Sequence, residues 1–507
     1  MKIWGSILLT GILGALMYPT VLAGWHLPDL GFLGWFFLIP LIGITTGQKP
    51  RKIFSRSFAA AFFIYGISLY WMIPAMVNFG GLGMFAAVFV LLLVVVILSA
   101  FFAGAVLGAY RVQGKTGLPL FFLIPLFVTA VDFIRAHGPV GGFPWPMPAY
   151  SQGEFLSYFQ WVDITGVWGL NFLILSVNVL LAQILLSLKS DRGASVNGAL
   201  VLVLAGLVSL CASIFSQNNW EEEGKNFRAS LLQGNVSQEI KWNSSHARDI
   251  LENYLRMTAE AKREGASVAL WPETAYPYTL DSYDLEGMPI GDTPLPLPVL
   301  MGAVTRYTGL SGDFFHNSAL LLNQESGVEG VYHKRHLVPY GEYIPMKKWL
   351  KFAEPLTRAV GELIPGSDDE PIPLGEGLLG ILICYEDIFP DLARSEALKG
   401  ANILVNITND AWYGNTSAQY QHLVFSQMRA LENRRTLLRA TNTGMSAVID
   451  ARGEIISRLK PFGRGIITES VQLYSNKSIY TRAGDWVAWI CLSGSFVLLF
   501  MRKKRYV

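Results

Sequence analysis

The sequence contains little cysteine and little charge. Its 507 residues include three cysteines, and only 15% are charged. Cys211 and Cys491 lie in apolar runs, so the polar part of the chain has Cys384 alone and cannot form an internal disulfide bond. A lone cysteine is more often a small buried hydrophobic residue than a nucleophile. The net charge of +2 excludes the concentrated basic surface that nucleic acid binding requires.

The charge that is present lies mainly in one part of the chain. Residues 1–218 contain ten Lys or Arg and five Asp or Glu, and most other charged residues lie between Trp220 and Ala483. The mean hydropathy of +0.36 therefore averages an apolar and a polar part. We expect a transmembrane region over 1–218, a water-exposed domain over 219–483, and a last transmembrane helix with a basic tail over 484–507.

Long apolar runs predict the membrane helices. About 20 apolar residues span the hydrocarbon of a bilayer, and seven such runs precede the polar region and one follows it. They are found at residues 3–23, 30–47, 57–78, 83–110, 117–136, 167–188, 198–216 and 484–501. Lys and Arg follow the second, fourth, sixth and eighth runs, but not the first or third. Because such residues mark cytoplasmic connections, both termini are predicted in the cytoplasm and residues 219–483 outside.

Two features of the predicted membrane region have more than one interpretation. Asp132 and Arg135 are three residues apart and can pair on a helix, either as a functional intramembrane site or as a structural pair near the surface. The outer loop 138–165 is long and aromatic. It is either an aromatic belt at the bilayer interface or one wall of a cleft that opens to lipid.

The polar region alternates predicted strands and helices. Short unbroken apolar strands, such as 266–271 and 377–383, are typical of an α/β sandwich whose sheet faces are both covered. Two long insertions, 275–295 and 340–372, interrupt this pattern. Within the second, residues 346–363 predict a basic amphipathic helix that lies either on the membrane surface or against its own domain.

Three residues with reactive or charged side chains follow predicted strands. Glu273, Lys334 and Cys384 each come just after a strand, and such residues converge on one crevice of an open α/β sheet. A cysteine attacks as the thiolate, yet the pKa of a free thiol is roughly 8.5. A carboxylate can take the proton, and a lysine can stabilise the thiolate and a developing oxyanion. A structural ion pair beside an inert cysteine is the competing interpretation.

Longer motifs surround these three residues. They are Trp271-Pro-Glu273-Thr, Tyr332-His-Lys334-Arg-His-Leu-Val-Pro-Tyr-Gly-Glu342 and Ile383-Cys384-Tyr-Glu386-Asp. In order and approximate spacing they resemble the three motifs of the nitrilase, or carbon–nitrogen hydrolase, superfamily. In that superfamily a Glu, a Lys and a Cys form a catalytic triad in an αββα sandwich.

The whole chain resembles one branch of that superfamily. Eight apolar helices with a nitrilase-like domain inserted before the last one are similar to the bacterial apolipoprotein N-acyltransferase family. Further segments that resemble this family are Gln233-Gly-Asn235, Lys241-Trp242 and Asn409-Asp-Ala-Trp412-Tyr-Gly. One small departure is Tyr340, where that family is expected to have Phe. The implied fold is a polytopic α-helical membrane bundle of eight transmembrane helices plus an α/β nitrilase-like αββα sandwich domain.

The resemblance also implies a role for each residue. Glu273 is expected to be the general base, Lys334 the stabiliser of negative charge and Cys384 the nucleophile. Five others are expected to support these residues (Glu342, Tyr385 and Glu386) or to line the substrate cleft (Trp242 and Trp412). Glu386 also fits an acid favoured at a helix N-terminus, and Trp242 an aromatic residue near the bilayer.

The implied reaction is acyl transfer through a thioester on the cysteine. The expected donor is a phospholipid, phosphatidylethanolamine above all. The acceptor is the N-terminal amine of the S-diacylglyceryl-cysteine of an apolipoprotein, which makes the transfer the last step of lipoprotein maturation. No cofactor or metal is expected. The protein is expected to be a monomer in the bacterial inner membrane, with its catalytic domain on the periplasmic face.

Two other functions compete with acyl transfer. A membrane-anchored nitrilase-type amidohydrolase would act on a soluble amide or nitrile, but it needs only one anchoring helix. A transporter or lipid-binding protein with an outer binding domain would instead need charged or broken helices inside the bundle.

Overall fold

The computed structural model describes most of residues 2–501. The positions outside the description are 1, 23, 79, 139–140, 189–191, 219, 221–225, 242, 283–289, 291–293, 310–311, 340, 344–362, 368–369 and 502–507. Three predicted features therefore lie outside the described residues. They are Trp242, most of the amphipathic helix at 346–363, and the basic tail.

The apolar part of the chain is helical, and every predicted apolar run coincides with helix. The helices are α1 Lys2–Leu16, α2 Ile39–Thr45, α3 Pro50–Ser68, α4 Met72–Asn78, α5 Met84–Thr116, α6 Leu120–Ala136, α7 Val162–Ser187 and α8 Arg192–Asn218. After α1, the short strands β1 (Val21–Leu22) and β2 (Trp25–His26) pair in an antiparallel ribbon.

Not every helix in this region has the length of a full span. Among the described residues, α5, α7 and α8 are long and apolar enough to cross a bilayer. Helices α3 and α4 are bent by 48° at a short break and together would make a fourth. Helix α1 has 15 residues, or about 22 Å, against roughly 30 Å of hydrocarbon. The prediction of eight spans is thus supported in part: the region is apolar and helical, with three or four helices of spanning length.

The polar part contains thirteen described strands and four described helices. The strands are β3 Asn226–Gln233, β4 Val268–Leu270, β5 Thr279–Asp281, β6 Val299–Gly309, β7 Gly312–Leu322, β8 Val328–His333, β9 Ile372–Leu374, β10 Gly377–Ile383, β11 Ile403–Thr408, β12 Thr436–Thr441, β13 Ala447–Ile449, β14 Ile455–Arg458 and β15 Gly465–Gln472. The helices are α9 Gln238–Lys241, α10 Ala247–Arg263, α11 Pro390–Leu398 and α12 Ala418–Asn433. Two more helices follow the domain, α13 Ile479–Ala483 and α14 Trp486–Phe500.

The strands form two sheets that pack face to face. One has six strands in the order β14-β13-β12-β11-β10-β9, and the other has seven in the order β15-β3-β4-β6-β7-β8, with β5 paired to β6. Apolar residues of both sheets, such as Leu270 and Ile381, share one buried core. On the outer faces, Tyr254 of α10 packs on the seven-stranded sheet, and Ala430 of α12 packs on the six-stranded sheet. The predicted αββα sandwich is therefore confirmed.

Buried ion pairs join the sandwich to the helical region. Arg434 follows the end of α12 with a left-handed φ of 51°. Its guanidinium donates to Asp163 Oδ2 at the start of α7, at 3.0 Å. The neighbouring Glu432 accepts a hydrogen bond of 2.8 Å from the backbone N–H of Val167. The sandwich is thus joined to α7 through buried charged groups.

The Asp132–Arg135 pair has a structural role. The two side chains are buried at 2.8 Å from each other, at the end of α6. Arg135 also donates to the carbonyl oxygens of Phe143, Trp145 and Pro146, at 2.7–2.8 Å. The pair therefore shapes the aromatic loop at 138–165, and it directs this loop towards the sandwich.

Candidate active site

Cys384 occupies a strained position at the end of a parallel strand. It follows β10 directly, it is buried, and its φ of 54° is unusual for a residue other than glycine. The parallel neighbour β11 supplies two side chains to it. Asn406 Nδ2 donates to the Cys384 carbonyl at 3.2 Å, and the Thr408 hydroxyl hydrogen-bonds the thiol. Strain of this kind is found where a fold presents a reactive side chain.

Glu386 fixes the turn that follows the cysteine. Its two carboxylate oxygens accept hydrogen bonds from the N–H of Ile383 at 2.7 Å and from the hydroxyl of Tyr332 at 2.8 Å. They also accept from the backbone N–H groups of Arg335 and His336, at 2.7 and 3.0 Å. Burial raises the pKa of Glu386, and the backbone N–H groups of Ile383 and His336 oppose that rise. This carboxylate joins the Cys384 turn to the segment that carries Lys334.

Four polar side chains form what we call the glutamate-side cluster, namely Glu273, Asn317, Lys334 and Glu342. Lys334 Nζ lies 2.8 Å from Glu342 Oε1 and 3.5 Å from Glu273 Oε1. Asn317 Nδ2 donates to Glu273 Oε1 at 2.7 Å and to Glu342 Oε1 at 3.2 Å. Glu273 follows β4 and Lys334 follows β8, so the two predicted strand-end residues do meet.

Two buried oxygens of this cluster have no hydrogen-bond partner among the described residues. They are Glu273 Oε2 and Asn317 Oδ1. Both belong to side chains whose other polar atoms are held firmly. A carboxylate that is anchored through one oxygen and unoccupied at the other has the geometry that a general base requires.

The charges of the site favour a protonated thiol and a permanently charged lysine. Burial raises the pKa of Cys384 well above its ordinary value, Glu273 raises it further, and Lys334 opposes them. Burial alone would lower the pKa of Lys334, but Glu342 and Glu273 outweigh it and raise that pKa. The thiol therefore needs a base before it can attack, and Lys334 supplies positive charge at every working pH.

A second buried group of charges lies beside the cysteine. This cysteine-side network consists of Asp387, Asp410, His422 and Arg439. His422 lies 2.7 Å from Asp387 Oδ1 and 2.9 Å from Asp410 Oδ1, and Arg439 lies 3.0 and 2.9 Å from their other oxygens. Burial alone would lower the pKa of His422, but the two aspartates outweigh burial and Arg439 and raise it.

The cysteine-side network reaches the backbone of the cysteine through one amide. Arg439 Nη1 donates to Asn406 Oδ1 at 2.7 Å, and Asn406 in turn donates to the Cys384 carbonyl at 3.2 Å. The network residues come from α12, β12 and the turns after β10 and β11. It therefore acts as a scaffold for the strand end, and no hydrogen bond among the described residues joins it to the glutamate-side cluster.

The other predicted site residues have different positions. The Tyr385 hydroxyl donates to the Gly142 carbonyl of the aromatic loop at 3.3 Å. Trp412 lies half-buried on the short turn Asp410–Tyr413. It is the next residue, Tyr413, whose ring packs on Trp71 and Trp145 of the helical region, at 5.2 and 6.3 Å between centroids.

Sequence reasoning missed two contributors to the site. Asn317 lies in the middle of β7, so the strand-end pattern does not include it. It stands in the polar run His316-Asn317-Ser318, with apolar residues of the strand on both sides. The other is Tyr413, whose ring packs on Trp71 and Trp145 and whose hydroxyl interacts electrostatically with Cys384. Over the described ranges, no group of three His, Cys, Asp or Glu side chains is arranged to hold a metal ion.

Comparison with known proteins places the chain in a family. Residues 10–180 match the family described as Apolipoprotein N-acyltransferase N-terminal domain, and residues 228–479 match Carbon-nitrogen hydrolase. The apolipoprotein N-acyltransferase of Geobacter metallireducens is 35% identical, over 98% of this chain and 95% of the relative. The chain belongs to the apolipoprotein N-acyltransferase family. It is thus an N-acyltransferase with a carbon–nitrogen hydrolase domain.

Further matches agree with this assignment. The apolipoprotein N-acyltransferase of Methylococcus capsulatus is 30% identical, over 92% of this chain and 90% of the relative. Among solved structures, a Saccharomyces cerevisiae member of branch 10 of the nitrilase superfamily is 18% identical. It covers 50% of this chain and 91% of its own, with a TM-score of 0.37. At that score the structural likeness carries no argument of its own.

Proposed function

We propose that this protein transfers an acyl chain from a membrane phospholipid to the N-terminal amine of the S-diacylglyceryl-cysteine of an apolipoprotein. One observation carries the proposal. The buried Cys384 thiol interacts electrostatically with Glu273, an anchored carboxylate with one oxygen lacking a partner among the described residues, and with Lys334, which lies 3.5 Å from Glu273. These residues lie at the side of the sandwich that contacts the helical region through Tyr385 and Tyr413.

In the first half-reaction the thiol becomes acylated. Glu273 takes the thiol proton, and the Cys384 sulfur attacks the carbonyl carbon of the phospholipid ester. A carbon–sulfur bond forms and the ester carbon–oxygen bond breaks. The leaving alkoxide of the lysophospholipid takes the proton from Glu273. Lys334 stabilises the negative charge that appears first on sulfur and then on the carbonyl oxygen.

In the second half-reaction the acceptor amine attacks the thioester. A carbon–nitrogen bond forms, the carbon–sulfur bond breaks, and the amine proton passes through Glu273 to the departing Cys384 sulfur. The product is an amide, and the enzyme returns to its starting state. A thioester is well suited to this step because it is more reactive towards amines than the oxygen ester from which it came.

The remaining predicted residues support this chemistry. Glu342 holds Lys334 and Asn317 at 2.8 and 3.2 Å. Glu386 holds the Cys384 turn, and Tyr385 connects that turn to the aromatic loop. We assign Trp412 to the wall of the substrate cleft. Exclusion of water by the surrounding aromatic residues protects the thioester from hydrolysis.

The location of the site follows from its substrates. Both the donor and the diacylated acceptor are held in a bilayer, so the pocket must open sideways to lipid. We assign residues 1–218 and 484–507 to eight membrane passages of a bacterial inner membrane, with residues 219–483 on the periplasmic face. The basic residues after alternate apolar runs support this orientation. We further propose phosphatidylethanolamine as the donor and a monomer as the active form.

Transfer between two defined substrates tests this proposal. The full-length protein is incubated with a phospholipid labelled in one acyl chain and with a diacylated lipopeptide. We expect label on the peptide amine with wild type and with Cys491→Ala, and none with Cys384→Ala. A peptide whose amine is acetylated should accept no label. Transfer by Cys384→Ala, or release of labelled fatty acid alone in the presence of acceptor, would contradict the proposal.

A further inference from the structure

Lys241 is a second buried lysine of the site. It ends α9, and the residue is only 5% exposed. Its Nζ donates to the backbone carbonyl of Glu273 at 3.1 Å. It is also coupled electrostatically to the Glu273 carboxylate and the Cys384 thiol. Two lysines therefore face the same thiol and carboxylate, one from α9 and one from the end of β8.

The carbonyl that Lys241 holds belongs to a strained turn. Thr274, the residue after Glu273, has a φ of 48° and is buried, which is costly for a β-branched side chain. Gly302 of β6 closes the other side of this turn. A Cβ at Gly302 would lie 2.4 Å from the carbonyl oxygen of Pro272 and 2.6 Å from Glu273 Cα. The turn thus lies between Gly302, which has no side chain, and the ammonium group of Lys241.

The two lysines differ in what pairs with them. Lys334 contacts two carboxylates, which raise its pKa although it is buried. Lys241 donates to a neutral carbonyl, and burial lowers its pKa to about 8, against the opposing pull of Glu273 and Cys384. Lys334 therefore keeps its charge at any working pH, whereas Lys241 loses its charge just above neutral pH.

We propose that Lys241 is a positioning residue for acyl transfer, whose ammonium form fixes the Glu273 turn and favours the thiolate of Cys384. This inference rests on the proposed function. Lys241 is then a second cation of the site, and it stops stabilising the Glu273 turn and the Cys384 thiolate when it loses its proton. Titratable groups that act on Lys241 include Glu273 and Cys384. Lys334 faces the same two groups, and Asp410 faces Cys384.

The proposal predicts that the rate of thioester formation falls at alkaline pH because Lys241 loses its proton. As the pH rises through about 8, Lys241 becomes neutral. The hydrogen bond to the Glu273 carbonyl then loses its charge assistance, and the thiolate loses a neighbouring cation. The rate of thioester formation on Cys384 should therefore fall above about pH 8. An arginine at this position remains charged and should carry the rate to higher pH.

Rates of thioester formation against pH test the proposal. Full-length wild type, Lys241→Arg, Lys241→Met and the exposed control Lys262→Met are mixed with labelled phospholipid without acceptor, from about pH 6.5 to about pH 9.5. We expect the rate of wild type and of the control to fall severalfold above about pH 8. Lys241→Arg should show no fall in this range. Lys241→Met should be about tenfold slower at pH 7, the effect of one lost pKa unit of stabilisation, with no alkaline fall.

Each outcome decides the proposal. A wild-type rate that does not fall above about pH 8 overturns it, as does a fall at the same pH in either Lys241 variant. If one variant melts below wild type, the profile of the other variant decides. Failure of the proposed function is distinguishable, because wild type would then form no thioester at any pH.

Discussion

The glutamate-side cluster and the cysteine-side network are both buried groups of charges at one pole of the sandwich, but they are paired differently. In the network, all four carboxylate oxygens of Asp387 and Asp410 have partners. In the cluster, Glu273 Oε2 and Asn317 Oδ1 have none within the described chain. An unsatisfied buried polar atom costs about 1–3 kcal/mol. Such atoms are retained where a substrate or a proton uses them.

This difference in pairing indicates a structural role for the cysteine-side network and a chemical role for the glutamate-side cluster. The cysteine-side network pairs its charges with one another. It reaches the backbone of Cys384 through Asn406, and Thr408 connects Asp410 to the thiol. The glutamate-side cluster leaves Glu273 Oε2 without a partner among the described residues, and in the proposed mechanism this oxygen takes the thiol proton. Substitutions in the network should therefore change stability most, and substitutions in the cluster should change the rate most.

The largest expected effect is a loss of stability when a residue of the cysteine-side network is substituted. Arg439→Leu leaves two buried aspartates without their cation, a change that costs about 3–5 kcal/mol. We expect a much lower melting temperature of the full-length protein in detergent, with little folded protein recovered. Arg458→Leu, which removes an exposed arginine, is the matched control and should melt as wild type does. Equal melting of both variants would remove the network from its structural role.

The next largest expected effect is a lower rate of thioester formation when a residue of the glutamate-side cluster is substituted. Asn317→Leu removes the amide that holds both Glu273 and Glu342. Misplacement of a base by about 1 Å costs on the order of a hundredfold in rate. We expect that loss in thioester formation, with a melting temperature close to that of wild type. Asn253→Leu on the distant α10 is the control. A variant of Asn317 with wild-type rate would show that Lys334 alone is enough to place Glu273.

A third prediction concerns the pH dependence of the network. The pKa of His422 is raised in the folded protein, so its protonation stabilises the fold fully below the ordinary value of about 6.5. This stabilisation is lost as the pH rises through the folded-state value. The melting temperatures of wild type and His422→Gln should therefore differ most near about pH 6 and converge towards about pH 9. A constant difference would indicate a neutral imidazole, and exposed His246→Gln should show no difference at any pH.

The smallest effect tests the contact between the two regions. Tyr385→Phe removes one hydrogen bond of 3.3 Å to the Gly142 carbonyl. Such a bond contributes about 0.5–1.5 kcal/mol. We expect a rate reduced less than about tenfold with phospholipid donors, because the ring and its packing on Phe389 remain. Complete loss of activity would place the hydroxyl in the chemistry itself.

Local sequence patterns were sufficient to predict the sandwich and the strand-end positions of Glu273, Lys334 and Cys384. Glu273 and Lys334 follow strands of one sheet and Cys384 follows a strand of the other, and the apolar strands between polar turns predict that arrangement. The convergence rule for strand ends needs no knowledge of the partner residues. The sequence therefore predicts where these side chains lie without predicting what each of them contacts.

Contacts between distant segments were not predictable in the same way. The network unites Asp387, Asp410, His422 and Arg439 from four separate segments, and none of them follows a pattern of local periodicity. The ends of helices and strands depend on backbone conformation, which local periodicity does not reveal. Helix α12 ends at Asn433 because Arg434 is left-handed. A turn separates β12 from β13.

The most direct test of the account is the acyl-enzyme itself. Wild type and Glu273→Gln are incubated with phospholipid in the absence of acceptor, and the modified residue is located by mass spectrometry. We predict one acyl chain on Cys384 of wild type, removed by neutral hydroxylamine. Glu273→Gln should melt as wild type does and acquire the chain at least about a hundredfold more slowly. An acyl chain on another residue, or a wild-type rate in Glu273→Gln, would contradict the central claim that Glu273 activates the Cys384 thiol.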